Sequence, residues 1–317
     1  MIILKNDFED LTQENRELLQ EYFHGFDYQA AGYTLLANCI WRNTHCVCWE
    51  EIGDYLCIAG ADCIKENARA IISMPLTRDG WYDPAKLRET ILAVKERFDQ
   101  RKIPFSIELI PGHMVHFLEE AFPGELRIEH DRDDDEYVYL KDKLITLSGR
   151  ALHKKKNHLN SFLKEYEYEY REITQGMHDE IMEFVDNAKR NKTDDPEELE
   201  SRELEETAIA EVLEFIGKPG IFGGAIYIGG ELKAFSIGEM LSKDTAVAHF
   251  EKADDSIRGL YQAINSEFCK HLPEEVVYVN REEDMGIENL RHAKESYKPD
   301  HMSEKYSACF LASTVVK

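Results

Sequence analysis

The chain has 317 residues and a formal net charge of −24 at pH 7, which repels nucleic acid and anionic membranes, so that contact with either requires a local basic patch. No apolar run approaches the roughly 20 residues of a membrane span. The N-terminus lacks the basic lead and long apolar core of a signal peptide, and seven scattered cysteines are typical of reduced thiols. We therefore expect a cytoplasmic protein of about two domains, without stable membrane insertion.

The first half of the chain alternates helix and strand patterns. Asp83 and Pro84 are typical of the N-cap and first position of a helix, and apolar side chains recur on one face after them. The acidic run Asp131–Glu136 is predicted to be solvated surface, and residues 144–149 to connect the two halves. The predicted elements are a helix at 10–23, a hairpin at 46–58, a strand at 70–73, a helix from 84, a strand at 104–110, a helix at 112–122 and a strand at 137–140.

A basic helix at 150–164 stands out in so acidic a chain. Its predicted apolar stripe consists of Leu152, Leu159, Phe162 and Leu163. The face predicted to point outward carries Lys154, Lys155 and Lys156. Such a face suits tRNA phosphates or an anionic head group, or it is solvated surface that offsets nearby acids; both interpretations stay open.

The second half of the chain is predicted to contain two helices followed by a sheet with two further helices. Helices at 178–189 and 198–215 flank a polar loop at 191–200. A hairpin at 222–238 turns at Gly229 and Gly230, and a strand at 245–252 leads through an Arg258-Gly259 loop into a helix ending near 271. A strand at 276–280 and a helix at 287–297 follow.

The order hairpin, strand, Arg-Gly loop, helix, strand, Asn, helix resembles the GNAT acyltransferase fold. Residues 152–160 and 278–299 resemble a bacterial family similar to the C-terminal cytosolic domain of phosphatidylglycerol lysyltransferase. That resemblance implies an α/β (α+β) fold of two GNAT-like domains in tandem, each a mixed sheet flanked by helices. We place them at residues 1–145 and 146–317, with the site in the second and a degenerate first domain.

The loop around Arg258 is the predicted donor-binding site. A guanidinium binds phosphate bidentately, glycine permits close backbone approach, and a helix N-terminus favours anions. A usual acetyl-CoA loop has small residues where this chain has Tyr261 and Ala263, so Tyr261 is a departure. The predicted donor-binding residues are Arg258, Gly259, Leu260, Tyr261 and Gln262. The alternative is an ordinary strand-to-helix turn.

Two residues of strand 245–252 are candidate bases. Strand periodicity places His249 and Glu251 on one face, where either can take a proton from an acceptor amine. A polar strand edge is the alternative.

Three further catalytic candidates lie at the next strand and helix. Asn280 is predicted to orient an amide, and Asp284 to hold an incoming ammonium or to cap a helix. The family resemblance places Tyr297 as the acid for the leaving group, with Lys294 one turn away to lower its pKa. A core tyrosine is the alternative.

The resemblance implies aminoacyl transfer, with aminoacyl-tRNA as donor and an amine or hydroxyl acceptor, which is a small molecule or a lipid head group. The alternatives are an acyl-CoA-dependent N-acetyltransferase and a non-catalytic binding protein on a GNAT scaffold. No cofactor is predicted beyond the donor co-substrate, aminoacyl-tRNA or acyl-CoA. No metal site is predicted either, because His113 and His116 lack further ligands at zinc spacing.

Overall fold

The computed structural model describes residues 8–12, 15–23, 28–42, 44–61, 70–189 and 196–311. Its helices are α1 (Arg16–Phe23), α2 (Leu35–Ile40), α3 (Pro84–Gln100), α4 (Val115–Ala121), α5 (Lys141–Thr146), α6 (His153–Glu165), α7 (His178–Lys189), α8 (Pro196–Leu213), α9 (Leu260–His271) and α10 (Glu288–Glu295). Its strands are β1 (Glu9–Asp10), β2 (Cys48–Ile52), β3 (Tyr55–Ala61), β4 (Ala70–Ile72), β5 (Ile107–Pro111), β6 (Leu126–His130), β7 (Glu136–Leu140), β8 (Tyr168–Glu172), β9 (Ile221–Ile228), β10 (Glu231–Met240), β11 (Thr245–Ala253), β12 (Tyr278–Asn280), β13 (His301–Ser303) and β14 (Lys305–Phe310). None of the described helices combines the length and apolar composition that crossing a lipid bilayer requires.

The chain forms two compact units, one of residues up to Asp135 together with those from Ser303, the other of Glu136–Met302. The described strands of the first unit follow the order β1-β2-β3-β4-β5-β14-β6, and those of the other sheet β13-β7-β12-β11-β10-β9-β8. This division differs from the predicted domain boundary at residue 145, because the first unit ends at Asp135 and also includes the residues from Ser303. β7 pairs with β12, and β14 lies between β5 and β6. Strand periodicity identifies a strand but not its partner.

The first unit confirms the helix predicted from Asp83. The Asp83 carboxylate accepts hydrogen bonds from the backbone N–H groups of Ala85 (2.9 Å) and Lys86 (3.0 Å), which caps α3. The helix side chains predicted to face the core are fully buried, namely Leu87, Ile91, Val94 and Phe98. The predicted β2–β3 hairpin is also present.

Two predictions for the region between the halves of the chain are wrong. The acidic run at 131–136 is not all solvated, since Asp135 and Glu136 are buried. Asp135 accepts from the backbone N–H of Lys305 (3.0 Å), and Glu136 from the side-chain amide of Asn280 (2.5 Å). These donors satisfy the carboxylates, so burial does not leave them unpaired. Residues 144–149, predicted as a connector, begin inside α5, whose Leu144 is buried.

The cysteines also differ from the prediction at one position. Cys46 is disulfide-bonded, whereas the other described cysteines are not: Cys39, Cys48, Cys57, Cys269 and Cys309. A disulfide depends on the distance between two Cβ atoms, which spacing along a sequence does not reveal.

The second sheet contains the parallel pair on which the predicted site depends. Its hairpin β9–β10 turns at Gly229 and Gly230, whose φ angles are 60° and 85°, as predicted. β11 and β12 pair in parallel over three positions, ending at Val247 opposite Asn280. β12 ends there while β11 continues to Ala253, so the two strands are not paired beyond this point.

The glycine that precedes α9 is required by helix packing. Gly259 has a φ of 88°, and a Cβ atom there would lie 2.3 Å from the carbonyl oxygen of His158 and 3.0 Å from Cβ of Phe162. The backbone of α6 therefore crosses directly over this glycine. Leu163 of α6 was predicted to lie in the apolar stripe, but its side chain is 46% exposed and does not join the core.

Replacing Gly259 by alanine tests this close approach. Gly259→Ala adds a methyl group against the backbone of α6, whereas Gly230→Ala adds one at a similar φ of 85° with nothing within 4 Å. Both variants carry the strain of a positive φ, so their difference isolates the contact. We expect Gly259→Ala to lower the free energy of unfolding by about 1–3 kcal/mol more than Gly230→Ala, measured by urea denaturation. Equal losses would show that α6 does not pack there.

Candidate functional site

Charged side chains collect where β11 and β12 stop pairing. His249 and Glu251 lie on β11 beyond its last residue paired with β12, and Arg281 and Glu282 directly follow β12. Because carboxyl-terminal ends of neighbouring parallel strands share one edge of the sheet, these side chains meet in two pairs, His249 with Glu282 and Glu251 with Arg281. They form the candidate site.

His249 bridges two carboxylates inside the sheet. Its Nδ1 lies 2.8 Å from Glu282 Oε1 and its Nε2 lies 3.0 Å from Glu239 Oε1. Burial alone would lower the pKa of His249, but the hydrogen bonds and charges of Glu239 and Glu282 outweigh it and raise the pKa to about 10. At neutral pH the ring is an imidazolium with both N–H groups engaged. This argues against the predicted role of His249 as a base.

Glu251 is the centre of a second network, which we call the Arg281 cluster: Lys155, Glu251, Gln262, Asn265, Arg281 and Tyr297. The Glu251 carboxylate accepts from Arg281 Nη2 (3.0 Å) and from Asn265 Nδ2 (3.1 Å). Both of its oxygens therefore have partners. The guanidinium and the amide thus hold the Glu251 carboxylate in a fixed position.

Lys155 belongs to this cluster and not to the outward basic face. Its Nζ lies 4.2 Å from the centre of the Tyr297 ring, and burial together with the charge of Arg281 lowers its pKa. Lys154 and Lys156 are exposed as predicted. Consecutive residues on a helix point about 100° apart, so neighbouring lysines face different surroundings.

Tyr297 is buried beside two cations. Its hydroxyl accepts from Gln262 Nε2 (3.1 Å), and the guanidinium of Arg281 lies 4.9 Å from its ring centre. Burial raises the pKa of Tyr297, and Arg281 and Gln262 oppose that rise only in part. Lys294 does not have the predicted activating role, because its ammonium donates to the backbone carbonyls of Arg281 and Glu283.

Asn280 and Asp284 hold the segment after β12 in place. Asn280 Oδ1 accepts from the backbone N–H of Glu282 (2.7 Å), which fixes the turn at that residue. Asp284 is fully buried and accepts from Arg291 (2.7 Å) and the Tyr137 hydroxyl (2.6 Å). The Arg291 guanidinium is the main reason that the pKa of Asp284 is lowered. With these partners, Asp284 is an anchor and not the predicted ammonium site.

The predicted donor loop reaches the site through one residue. Gln262 joins the cluster at Tyr297, whereas Leu260 is buried in the core and Tyr261 packs against it. Arg258 is exposed, and in the described part of the chain it is not among the hydrogen-bond partners of His249 or Glu251. The space beside Gly259 is filled by the backbone of α6.

The sequence alone does not single out Glu239, Glu282, Arg281 or Asn265. One signal for two of them was available, because Arg281 and Glu282 open a run of charged residues immediately after a buried strand. Glu239 and Asn265 come from different elements, β10 and α9, and no spacing links them to His249 or Glu251.

Comparison with known proteins identifies the family. A sequence profile of the family described as "Phosphatidylglycerol lysyltransferase, C-terminal" matches residues 26–309, and the chain belongs to that family. A crystal structure of a conserved protein of unknown function from Bacteroides thetaiotaomicron is similar, with a TM-score of 0.82 and 30% identity over 96% of this chain and 99% of that one.

Two further structures establish the fold. L-PGS from Bacillus licheniformis has a TM-score of 0.63 at 14% identity, over 95% of this chain and 93% of that one. A tandem GNAT protein from the clavulanic acid biosynthesis pathway has a TM-score of 0.50 at 9% identity, over 96% and 98% of the two chains. The fold is thus mixed α/β with two GNAT-like domains in tandem, as predicted.

The protonation of His249 predicts how stability depends on pH. Its pKa rises from 6.5 to about 10 on folding, so in this window the folded protein keeps a proton that the unfolded chain releases. The stabilisation is complete below pH 6.5 and is lost as pH rises through about 10. Between pH 6.5 and about 10, the unsubstituted protein should lose up to about 1.4 kcal/mol of unfolding free energy per pH unit, measured by urea denaturation. His249→Gln should lack this slope; an identical slope in both proteins would contradict the imidazolium.

Proposed function

We propose that a chain of this family transfers an aminoacyl group from aminoacyl-tRNA to an amine or hydroxyl acceptor, at the site between the ends of β11 and β12. The observation that carries the proposal is the match of residues 26–309 to the phosphatidylglycerol lysyltransferase C-terminal family. The charged site in the second unit supplies residues for the chemistry.

Glu282 is the carboxylate that we assign as base. His249 has two carboxylate partners, and the Glu282 side chain is 24% exposed whereas that of Glu239 is 10% exposed. A substrate therefore reaches Glu282 more readily. The imidazolium holds one of its oxygens in a fixed position, as general base catalysis requires.

The reaction replaces one acyl bond by another. The acceptor nitrogen or oxygen attacks the ester carbon of the aminoacyl group, a new C–N or C–O bond forms, and the bond to the ribose oxygen breaks. Glu282 takes the acceptor proton, and the leaving ribose oxygen takes one from Tyr297. Tyr297 still has its own proton to donate, because its oxygen accepts a hydrogen bond from Gln262. Exchange with solvent then restores both groups.

The loop before α9 favours tRNA over acyl-CoA as the donor. Asp254 and Asp255 precede Arg258 in this loop and would repel a pyrophosphate. The space beside Gly259, which close phosphate approach would use, is taken by the backbone of α6. Lys154 and Lys156 on the exposed face of α6 supply cations for tRNA phosphates instead.

A transfer assay with a Glu282→Gln variant tests the proposal. We expect the parent protein to move a radiolabelled amino acid from charged total tRNA to an acceptor, offered either as phosphatidylglycerol vesicles or as small amines. Glu282→Gln should lower turnover roughly 10²–10⁴-fold. Glu288→Gln is the control, since Glu288 is an exposed carboxylate at the start of α10. Failure of the parent to consume any aminoacyl-tRNA, with turnover of acetyl-CoA, would favour an N-acetyltransferase; inactivity toward both would favour a binding protein.

Charge reversal on the exposed face of α6 tests the tRNA contact separately. Lys154→Glu with Lys156→Glu should weaken tRNA binding and flatten its dependence on salt. Each lost phosphate contact lowers the logarithmic slope by about 0.7 for single-stranded and 0.9 for duplex RNA. Lys218→Glu, at another exposed lysine of the same unit, is the control. Filter binding at several salt concentrations measures the slope, and equal slopes in all three proteins would exclude this contact.

A further inference from the structure

The Arg281 cluster contains buried polar atoms that no described residue satisfies. Nη1 of Arg281 is a donor without a hydrogen-bond partner in the described part of the chain, and Oδ1 of Asn265 is an acceptor without one. Lys155 adds a half-buried ammonium whose contact is the face of the Tyr297 ring. Buried polar groups are normally paired, so each unpaired group of this kind calls for an explanation.

The orientation of the Asn265 amide is determined by its neighbour. Its Nδ2 donates to Glu251 Oε2 at 3.1 Å. The reversed amide would place two oxygen atoms against each other, which is repulsive. The unsatisfied atom of Asn265 is therefore an acceptor, and the cluster offers both unpaired donors and an unpaired acceptor.

The Arg281 cluster also contains side chains of both charges. Lys155 and Arg281 are cations, and Glu251, the carboxylate among the cluster residues, pairs with Arg281. One positive charge is left over, near the unpaired donors. A matching ligand carries one negative group for the donors and an N–H group for the oxygens of Asn265 and Glu251.

We propose that the Arg281 cluster binds a zwitterion with a free carboxylate and a free amine, an amino acid or short peptide. Its carboxylate pairs with Lys155 and Arg281 Nη1, and its amine lies towards Glu251 and Asn265. A phosphodiester offers acceptors alone and would leave the Asn265 oxygen unsatisfied. The carboxyl group of an aminoacyl-tRNA is esterified, so the bound zwitterion is a different molecule from the donor.

The geometry of α6 keeps this site apart from the tRNA contact. Lys155 turns inward over Tyr297, while Lys154 and Lys156 on either side of it are exposed. The ligand chemistry follows from these contacts and does not rest on the proposed function. Binding of the zwitterion can be measured without tRNA. The zwitterion site and the aminoacyl-transfer function can therefore be disproved independently of each other.

Calorimetry with matched ligands tests the zwitterion site. We expect L-alanyl-L-alanine to bind the full chain, and its C-terminal amide and its N-acetyl derivative each to bind at least roughly tenfold more weakly, since each lacks one charged group. Inorganic phosphate and glycerophosphoglycerol are expected to bind more weakly than the dipeptide. Free L-lysine is a second zwitterion to be tested. The proposal would be overturned if either phosphate compound bound more tightly than the dipeptide, if the amide bound as tightly as the dipeptide, or if neither the dipeptide nor free L-lysine bound.

Variants at Lys155 locate the binding. Lys155→Met keeps the apolar stem and should weaken dipeptide binding roughly tenfold or more, and Lys155→Arg should restore much of it. Lys164→Met removes an exposed lysine from the same helix and is the control. Thermal unfolding of each variant shows that it is folded before binding is compared. Unchanged binding by a folded Lys155→Met protein would place the ligand elsewhere.

Discussion

The buried imidazolium of His249 is the constraint on which the second sheet depends. A charge inside a sheet is tolerated only with partners on both ring nitrogens, and Glu239 and Glu282 supply them from β10 and from the segment after β12. For Glu282 to reach the ring, β12 has to end at Asn280 and the chain has to turn there. The early end of β12 and the exposure of Glu282 follow from one electrostatic requirement.

Around this bridge the polar residues divide into those whose bonding is complete and those whose bonding is open. Asp284 and Asn280 have their partners within the protein, and they fix the backbone from 280 to 286. Arg281 and Asn265 each keep one side-chain atom without a hydrogen-bond partner in the described residues. The first group makes the second group rigid, and rigid but incompletely bonded groups are what a binding site needs.

How much was predictable follows from the range of each interaction. The α3 cap at Asp83, the Gly229–Gly230 turn and the parallel pair β11–β12 depend on neighbouring residues or on element order, and the sequence indicates them. Lys155 and Leu163 are assigned to the wrong faces because a helical stripe shows where one helix is apolar, not what covers its edges. The partners of His249 are 10 and 33 residues away, and no local pattern carries that information.

The position of β14 has a consequence for synthesis. This strand lies between β5 and β6, yet in the chain it comes after all of the second unit. On the ribosome, residues 136–302 therefore emerge while the first sheet still lacks an inner strand. The edges of β5 and β6 that β14 will cover remain unpaired during that time, and exposed strand edges promote aggregation. The first sheet can therefore be closed only after the whole second unit has been synthesised.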